Sequence, residues 1–351
     1  MACQGRRQGG MTVPLRATSQ DPMTSIHDVA ALAKVSIKTV SRVVNKAPNV
    51  SDALRDRVQA AIAQLGYRPN QSARRLAGGR SFMIAFLYNN PAPGYVSRIQ
   101  MGAAWRCRDL GYHLVVEPLS PGGEERFDVL DRLVAALRPD GVLLVPPLAD
   151  DQALLDKLAQ MQLPCARIAG SAPSPSFTIS TPEQAAGRMV ADHLTGLGHR
   201  RIGVITPPPT HHAALRRVDG FREGLEAAGI AAEEALFVPG RFDFASGIAA
   251  GETLLALPDP PSAIFATNDD MALGVLTLAH RIGLRVPEDL SVTGFDDTSA
   301  SLTSWPPLTT VRQPLEDMGR AVIDALAQGA QGTPEFTFTL IERGSSGPPA
   351  A

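Results

Sequence analysis

The sequence predicts an all-α head followed by a larger α/β body that folds as two lobes with parallel sheets. Three observations carry this. Residues 24–68 hold three short amphipathic helical stretches, each opened by a capping residue. From Phe82 onward, short apolar runs alternate with longer amphipathic segments, the pattern of parallel strands covered by helices. Charge divides at the same place: residues 1–80 carry 13 Lys/Arg against 4 Asp/Glu, while the whole chain has a net charge of −2. A basic head on an acidic body is the asymmetry expected when only one end meets phosphate.

Residues 1–23 are rich in Gly, Arg and Gln, lack apolar periodicity and read as a disordered extension. Met23 directly precedes the first helix, so residues 1–22 are either a mis-assigned start or a tail. They contain no apolar segment of the kind a secretory signal needs, and no run approaches the roughly 18 apolar residues of a membrane span. Cys3, Cys107 and Cys165 are odd in number and dispersed, which fits a reducing cytoplasm and no disulfide framework. His211-His212 lacks Cys or carboxylate partners at metal spacing and reads as loop, so neither metal nor cofactor is expected.

In the head, Ser25-Ile26-His27-Asp28 is a capping-box start, and Val29, Ala30, Leu32 and Ala33 supply an apolar face. A turn at Lys34-Val35 leads to Ser36, a second cap. In the helix that follows, Val40, Val43 and Val44 face inward and Ile37, Lys38, Ser41 and Arg42 face outward. Ser51 caps a third helix, with Asp52 in its positive first turn and Val58, Ile62 and Leu65 as its buried stripe. Two short helices across a tight turn, the second basic on its outer face, form a helix-turn-helix, in which that second helix enters the major groove of DNA. The pattern alone leaves open a three-helix scaffold that touches no DNA. Pro69 opens and Gly78-Gly79 stops a short hinge helix and linker over 69–80, marginal in isolation.

In the body, strands are predicted at Phe82–Tyr88, His113–Glu117, Gly141–Val145, Cys165–Ile168, Arg201–Thr206, Ala263–Ala266 and Ser291–Phe295. Helices are predicted at Val96–Leu110, Pro182–Leu197, Ala213–Ala228 and Met271–Ile282. So many strands suit two lobes better than one sheet: about 81–180 plus 312–335, and about 181–311 plus 336–343, with residues 344–351 a flexible tail. That tail carries no leucine heptads, which favours a dimer over a tail-mediated tetramer.

Ligands of open α/β sheets bind outside the carboxyl ends of the strands. That rule selects Asn89, Arg167, the Arg216-Arg217 region, Asn268-Asp269 and Asp296-Asp297, a set of amide, guanidinium and carboxylate partners suited to hydroxyls. Phe242 or Tyr95 would stack on an apolar ring face. Plainer roles stay open: Asn268-Asp269 as a helix cap, Arg217 as a surface arginine. No phosphate loop, no Gly-x-Ser-x-Gly elbow and no nucleophile–base set argues for an enzyme acting on a sugar or nucleotide. A periplasmic-type solute-binding protein would share the body but not the head.

Ile26-His27-Asp28-Val29-Ala30, Val35 to Asn45, and Leu65-Gly66-Tyr67-Arg68-Pro69-Asn70 closely resemble the LacI/GalR family of bacterial transcriptional regulators, ungapped from Thr24 to Ser81. The resemblance continues more loosely through Arg217-Val218-Asp219-Gly220-Phe221, Ala266 to Gly274, Gly294-Phe295-Asp296-Asp297 and Pro306 to Thr310. It implies a type I periplasmic-binding-protein-like effector domain and a homodimeric repressor on pseudo-palindromic double-stranded operator DNA, controlled by a small carbohydrate-like effector. By that resemblance Ile37, Lys38 and Arg42 read base edges, and Ser36, Thr39, Ser41, Asn45, Tyr67 and Asn70 grip phosphates. His27 lies on the same side. Ala73 and Leu76 belong to the hinge helix, whose leucine wedges into the minor groove; packing of Leu76 on the head is the alternative. Arg217, Asn268 and Asp296 would bond the effector. Where the family often offers an Asp in the first lobe, this chain reads Ala166-Arg167-Ile168, which favours an acidic sugar or other anion.

Overall fold

The structure, a computed structural model, describes residues 24–44, 50–67, 80–120, 122–330 and 332–350. It divides into two compact units, Met1–Gly79 and Arg80–Ala351. The expected extension (1–23) and nearly all of the hinge, including Asn70, Ala73 and Leu76, lie outside the described residues, as does Asn45.

In the head, α1 spans Ile26–Ala33, α2 Ile37–Val44 and α3 Asp52–Leu65. The capping box forms: the Ser25 backbone N–H donates to the Asp28 carboxylate at 2.8 Å and the Asp28 N–H donates back to Ser25 Oγ. Lys34 ends α1 in the left-handed region at φ 51°, and Ser36 Oγ accepts from the Thr39 N–H at 3.2 Å at the start of α2. Val29, Ala30, Ala33, Val40, Val43, Val58, Ala61 and Tyr67 make the core. Two expectations are corrected. Leu32 is 42% exposed, because the buried face of α1 is the narrower Val29-Ala30-Ala33 stripe. Ser51 occupies the cap position of α3 but its side chain makes no cap bond.

The body begins with β1 (Met83–Tyr88), α4 (Pro93–Leu110), β2 (His113–Pro118), α5 (Glu125–Leu137), β3 (Gly141–Leu144), α6 (Gln152–Gln160), β4 (Cys165–Ile168) and β5 (Phe177–Ile179). These strands form one parallel sheet in the order β2-β1-β3-β4-β5, the frame of lobe 1. Lobe 2 follows with α7 (Glu183–Gly196), β6 (Ile202–Thr206), α8 (His212–Ala227), β7 (Phe237–Pro239), α9 (Phe244–Leu255), β8 (Ala263–Ala266), α10 (Asp269–Arg281) and β9 (Ser291–Thr293). Its sheet is also parallel, in the order β7-β6-β8-β9. After the short α11 (Ser299–Thr303), β10 (Thr310–Arg312) pairs antiparallel with β11 (Thr339–Ile341), and α12 (Leu315–Gln328) between them packs against α4.

Both sheets are covered on two faces, so their strands read as continuous apolar runs; Ile84, Ala85, Phe86 and Leu87 of β1 are all fully buried. The seven expected strands are present, and each of β5, β7, β10 and β11 adds only three residues, too few to show a period of two. No helix among the described residues is long and apolar enough to cross a membrane.

The expected flexible tail is a correction. Ser345 is fully buried, and its carbonyl accepts from the Val292 N–H at 2.7 Å while its hydroxyl donates to the Val292 carbonyl at 2.6 Å. The Gly347 N–H donates to Ser291 Oγ at 3.0 Å. Residues 345–347 therefore cover the β9 edge of the lobe 2 sheet, satisfying donors that an open edge would expose.

Candidate functional site

Both sheets reverse strand order next to their first strand, between β1 and β3 and between β6 and β8. Loops diverge at such points and leave a crevice outside the strands' carboxyl ends. Here the two crevices share one partly open cavity. Lobe 1 lines it with Asn90, Ala92, Tyr95, Pro146 and Ala169; lobe 2 with Glu183, His211, Ala213, Ala214, Arg217, Phe242, Asn268 and Asp296.

Arg217 is the central group. Its guanidinium pairs with Glu183 at 2.7 Å, donates to the Thr267 carbonyl, and lies over the Phe295 ring with Cζ 3.2 Å from the centroid. The backbone makes this possible through Gly187 and Gly220. A Cβ on either would collide with the facing backbone of Arg217 or Gln184, so only glycine lets α7 and α8 cross closely enough to bring Glu183 onto Arg217. Asn268 caps α10, its Oδ1 accepting from the Met271 N–H at 3.0 Å, while its Nδ2 donates to the Phe242 carbonyl at 3.1 Å. The capping role and the place in the cavity thus coincide.

Asp296 accepts from Gln313 Nε2 at 2.6 Å, and Arg98 of α4 donates to its backbone carbonyl at 3.2 Å. Burial pushes its carboxyl well above the usual range, with Arg217 pulling the other way and Asp269 adding to the rise. Asp269 itself is pushed up to about 7 by burial, although it accepts from Thr310 Oγ1 and from the Thr298 N–H and hydroxyl. Burial also works against ionisation of Asp297, yet Arg343 and Arg312 hold its carboxyl below the usual range. Ala169, Phe242 and Asp296 all sit at positive φ (56°, 63° and 111°). Left-handed backbone at three non-glycine residues of one cavity is the local strain that binding sites retain.

Of the residues selected from sequence, Tyr95, Arg217, Phe242, Asn268 and Asp296 meet at this cavity. Asn89 and Arg167 are not among its lining residues, and both placements are corrections. The neighbouring Asn90 lines it instead, its Nδ2 donating to the Pro146 carbonyl at 3.1 Å. Arg167 is buried and satisfied elsewhere, by the Ala149 and Ala172 carbonyls and by Thr178 Oγ1. It alternates with Ala166 and Ile168, which pack into the core on the α4 and α12 side. The anion preference inferred from Arg167 loses its basis. Glu183, His211 and Asn90 were missed. The strand-end rule would have reached Glu183 had the three-residue β5 been visible.

In the head, Ile37, Lys38 and Arg42 are exposed on α2, with Ser41 half-buried beside them, opposite buried Val40 and Val43. His27 on α1 is exposed too. Ser36 and Thr39 bond one another through their hydroxyls at 2.9 Å at the start of α2. Tyr67 is buried in the head core, leaving little of it at the surface.

Residues 25–70 match the model of bacterial regulatory proteins of the lacI family, and residues 191–346 that of a periplasmic binding protein-like domain. The chain is 32% identical to the ribose operon repressor of Escherichia coli over 92% of its own length and 100% of the relative. It is 34% identical to the lactose operon repressor of the same organism, covering 89% and 86%. Among solved structures, the lac repressor dimer bound to operator and an anti-inducer superimposes with a TM-score of 0.76 at 32% identity, covering 92% of this chain and 99% of that one. A basic three-helix head and a two-lobed ligand-cavity body, matched over nearly their whole length, place this chain in the LacI family of DNA-binding transcriptional regulators.

Proposed function

We propose that this regulator is a cytoplasmic homodimeric repressor that binds pseudo-palindromic operator DNA and is controlled by a carbohydrate in the cavity between its lobes. The observation that carries the ligand half is the lining itself: it draws on strand ends of both sheets, so one ligand contacts both lobes and biases their relative orientation. Arg217, Asn268 and Asp296 are the hydroxyl partners, and Phe242, Tyr95 and the Asn90 segment of lobe 1 the walls. Names of relatives support the class: ribose and lactose operon repressors, and a transcriptional regulator CelR–cellobiose complex with a TM-score of 0.69 at 31% identity. Arg217, Asn268, Asn90 and Asp296 of the lining are each already held by bonds to Glu183, the Phe242 carbonyl, the Pro146 carbonyl and Gln313, which suits holding a ligand rather than transforming it.

In the head, Ile37, Lys38 and Arg42 read base edges in the major groove, and Ser36, Thr39, Ser41 and Asn45 fix register on phosphates. Tyr67, Asn70, Ala73 and Leu76 follow the family reading, the last as a minor-groove wedge in the 69–80 hinge. The test is a binding titration on genomic fragments around the protein's own promoter, with and without a sugar panel. One pseudo-palindrome whose occupancy a sugar alters is expected. Arg42→Ala should cost about 1–3 kcal/mol and relax base choice at one position per half-site. Absence of any specific fragment would refute the operator reading.

A further inference from the structure

His211 is a cavity residue whose chemistry is unspent. It stands just before α8, is 6% exposed and lines the cavity, yet its Nε2 is buried without a hydrogen-bond partner among the described residues. Its Nδ1 lies 3.3 Å from Thr210 Oγ1, and its ring meets Phe242 edge-on with centroids 4.8 Å apart. A buried ring nitrogen left unbonded is costly, and natural sites keep such a group where something that enters the site satisfies it. The surrounding charge says what that is. Glu183 and Arg217, the fixed opposite charges of the lining, cancel across 2.7 Å. Asp296 is biased toward its uncharged form by burial, and burial with Arg217 and His212 holds His211 down to about 4, as uncharged imidazole. The lining therefore offers an anion no unpaired positive charge.

We propose that His211 is a specificity-determining residue, its Nε2 exchanging a hydrogen bond with a ligand hydroxyl, in a cavity that takes an uncharged polyhydroxy compound over its carboxylate or phosphate counterpart. This deepens the carbohydrate reading above and rests on it.

The experiment is calorimetric titration of the full chain with matched sets: a hexose, a pentose and a disaccharide, each beside its aldonic acid and its phosphate ester. At least one uncharged member should bind, its charged counterparts at least tenfold more weakly. His211→Ala should weaken that member at least tenfold, and His211→Gln should recover part of the loss by presenting an amide at similar reach. Equal or tighter binding of the acid or phosphate would overturn the proposal while leaving the cavity a sugar-derivative site. Unchanged affinity in His211→Ala would overturn the role of His211. Silence from every member would overturn the carbohydrate reading and this proposal together. The native-protein comparison does not depend on either variant folding.

Discussion

Lobe 1 brings a single amide, one tyrosine and the small or cyclic residues Ala92, Pro146 and Ala169 to the cavity, whereas lobe 2 brings Glu183, His211, Arg217, Asn268 and Asp296. Every charged side chain of the lining belongs to lobe 2; Glu183 and Arg217 hold each other within it, and Asp296 accepts from Gln313, just past β10. One half thus carries a preorganised polar surface and the other a shaped wall. A ligand that bonds one lobe and packs on the other couples its binding to the relative position of the two. The family model that matches the body, over residues 191–346, covers nearly all of lobe 2 and leaves lobe 1's parallel strands aside.

The largest test removes the central pair. Glu183→Ala leaves Arg217 buried without its partner and should cost about 3–5 kcal/mol, read by urea unfolding of the full chain. An effect below about 1 kcal/mol would mean that lobe 2 is not held by this pair. Next, Asn268→Ala deletes a helix cap and strands the Phe242 carbonyl, a loss of about 1–2 kcal/mol with weakened ligand binding in the same variant. On the other side, Asn90→Ala should spare ligand affinity to within about 1 kcal/mol, measured by the same titration, because lobe 1 supplies shape more than bonds. A loss matching that of Asn268→Ala would erase the distinction between the lobes.

The smallest effect is one of pH. His199 is fully buried in lobe 2, bonded to Ser262, Ser291 and the Gly347 carbonyl, and burial holds its pKa below the ordinary 6.5. Below 6.5 the unfolded chain takes up a proton that folded His199 resists, so its contribution to stability is full above 6.5 and falls as pH drops toward the depressed folded value. Melting curves between pH 7 and pH 5 should show a shallower acid decline in His199→Asn than in the native chain. Parallel declines would remove His199 as the cause.

How much of this was legible in the sequence varied with residue spacing. Asn268 could be found because an Asn-Asp pair follows the apolar run Ala263–Ala266 after only Thr267, marking strand end and helix start together. The faces of α2 were readable because valines at 40, 43 and 44 repeat at helical spacing. Arg167 misled because proximity to a strand end says nothing of a side chain's partners: Arg167 binds the carbonyls of Ala149 and Ala172, while Ala169, just past β4 in left-handed backbone, lines the cavity. Glu183 stayed hidden because its partner, 34 positions away, is brought near only by the Gly187–Gly220 crossing. Burial of Leu32 was misjudged since one short helix cannot show how wide a stripe its neighbours will cover.

Residues 345–347 give lobe 2 an unusual dependence on synthesis order. The strand they cover, β9, lies more than fifty positions earlier; its Val292 N–H finds its partner in that segment, and its Ser291 hydroxyl, which also meets His199, accepts the Gly347 N–H there. A nascent chain can assemble the head and the early strands of lobe 1 while this edge of lobe 2 still lacks its border. Until residue 347 has left the ribosome, the sheet that carries Arg217, Asn268 and Asp296 presents an open flank to any strand nearby, its own kind included. A truncation before Ser345 would make that interval permanent.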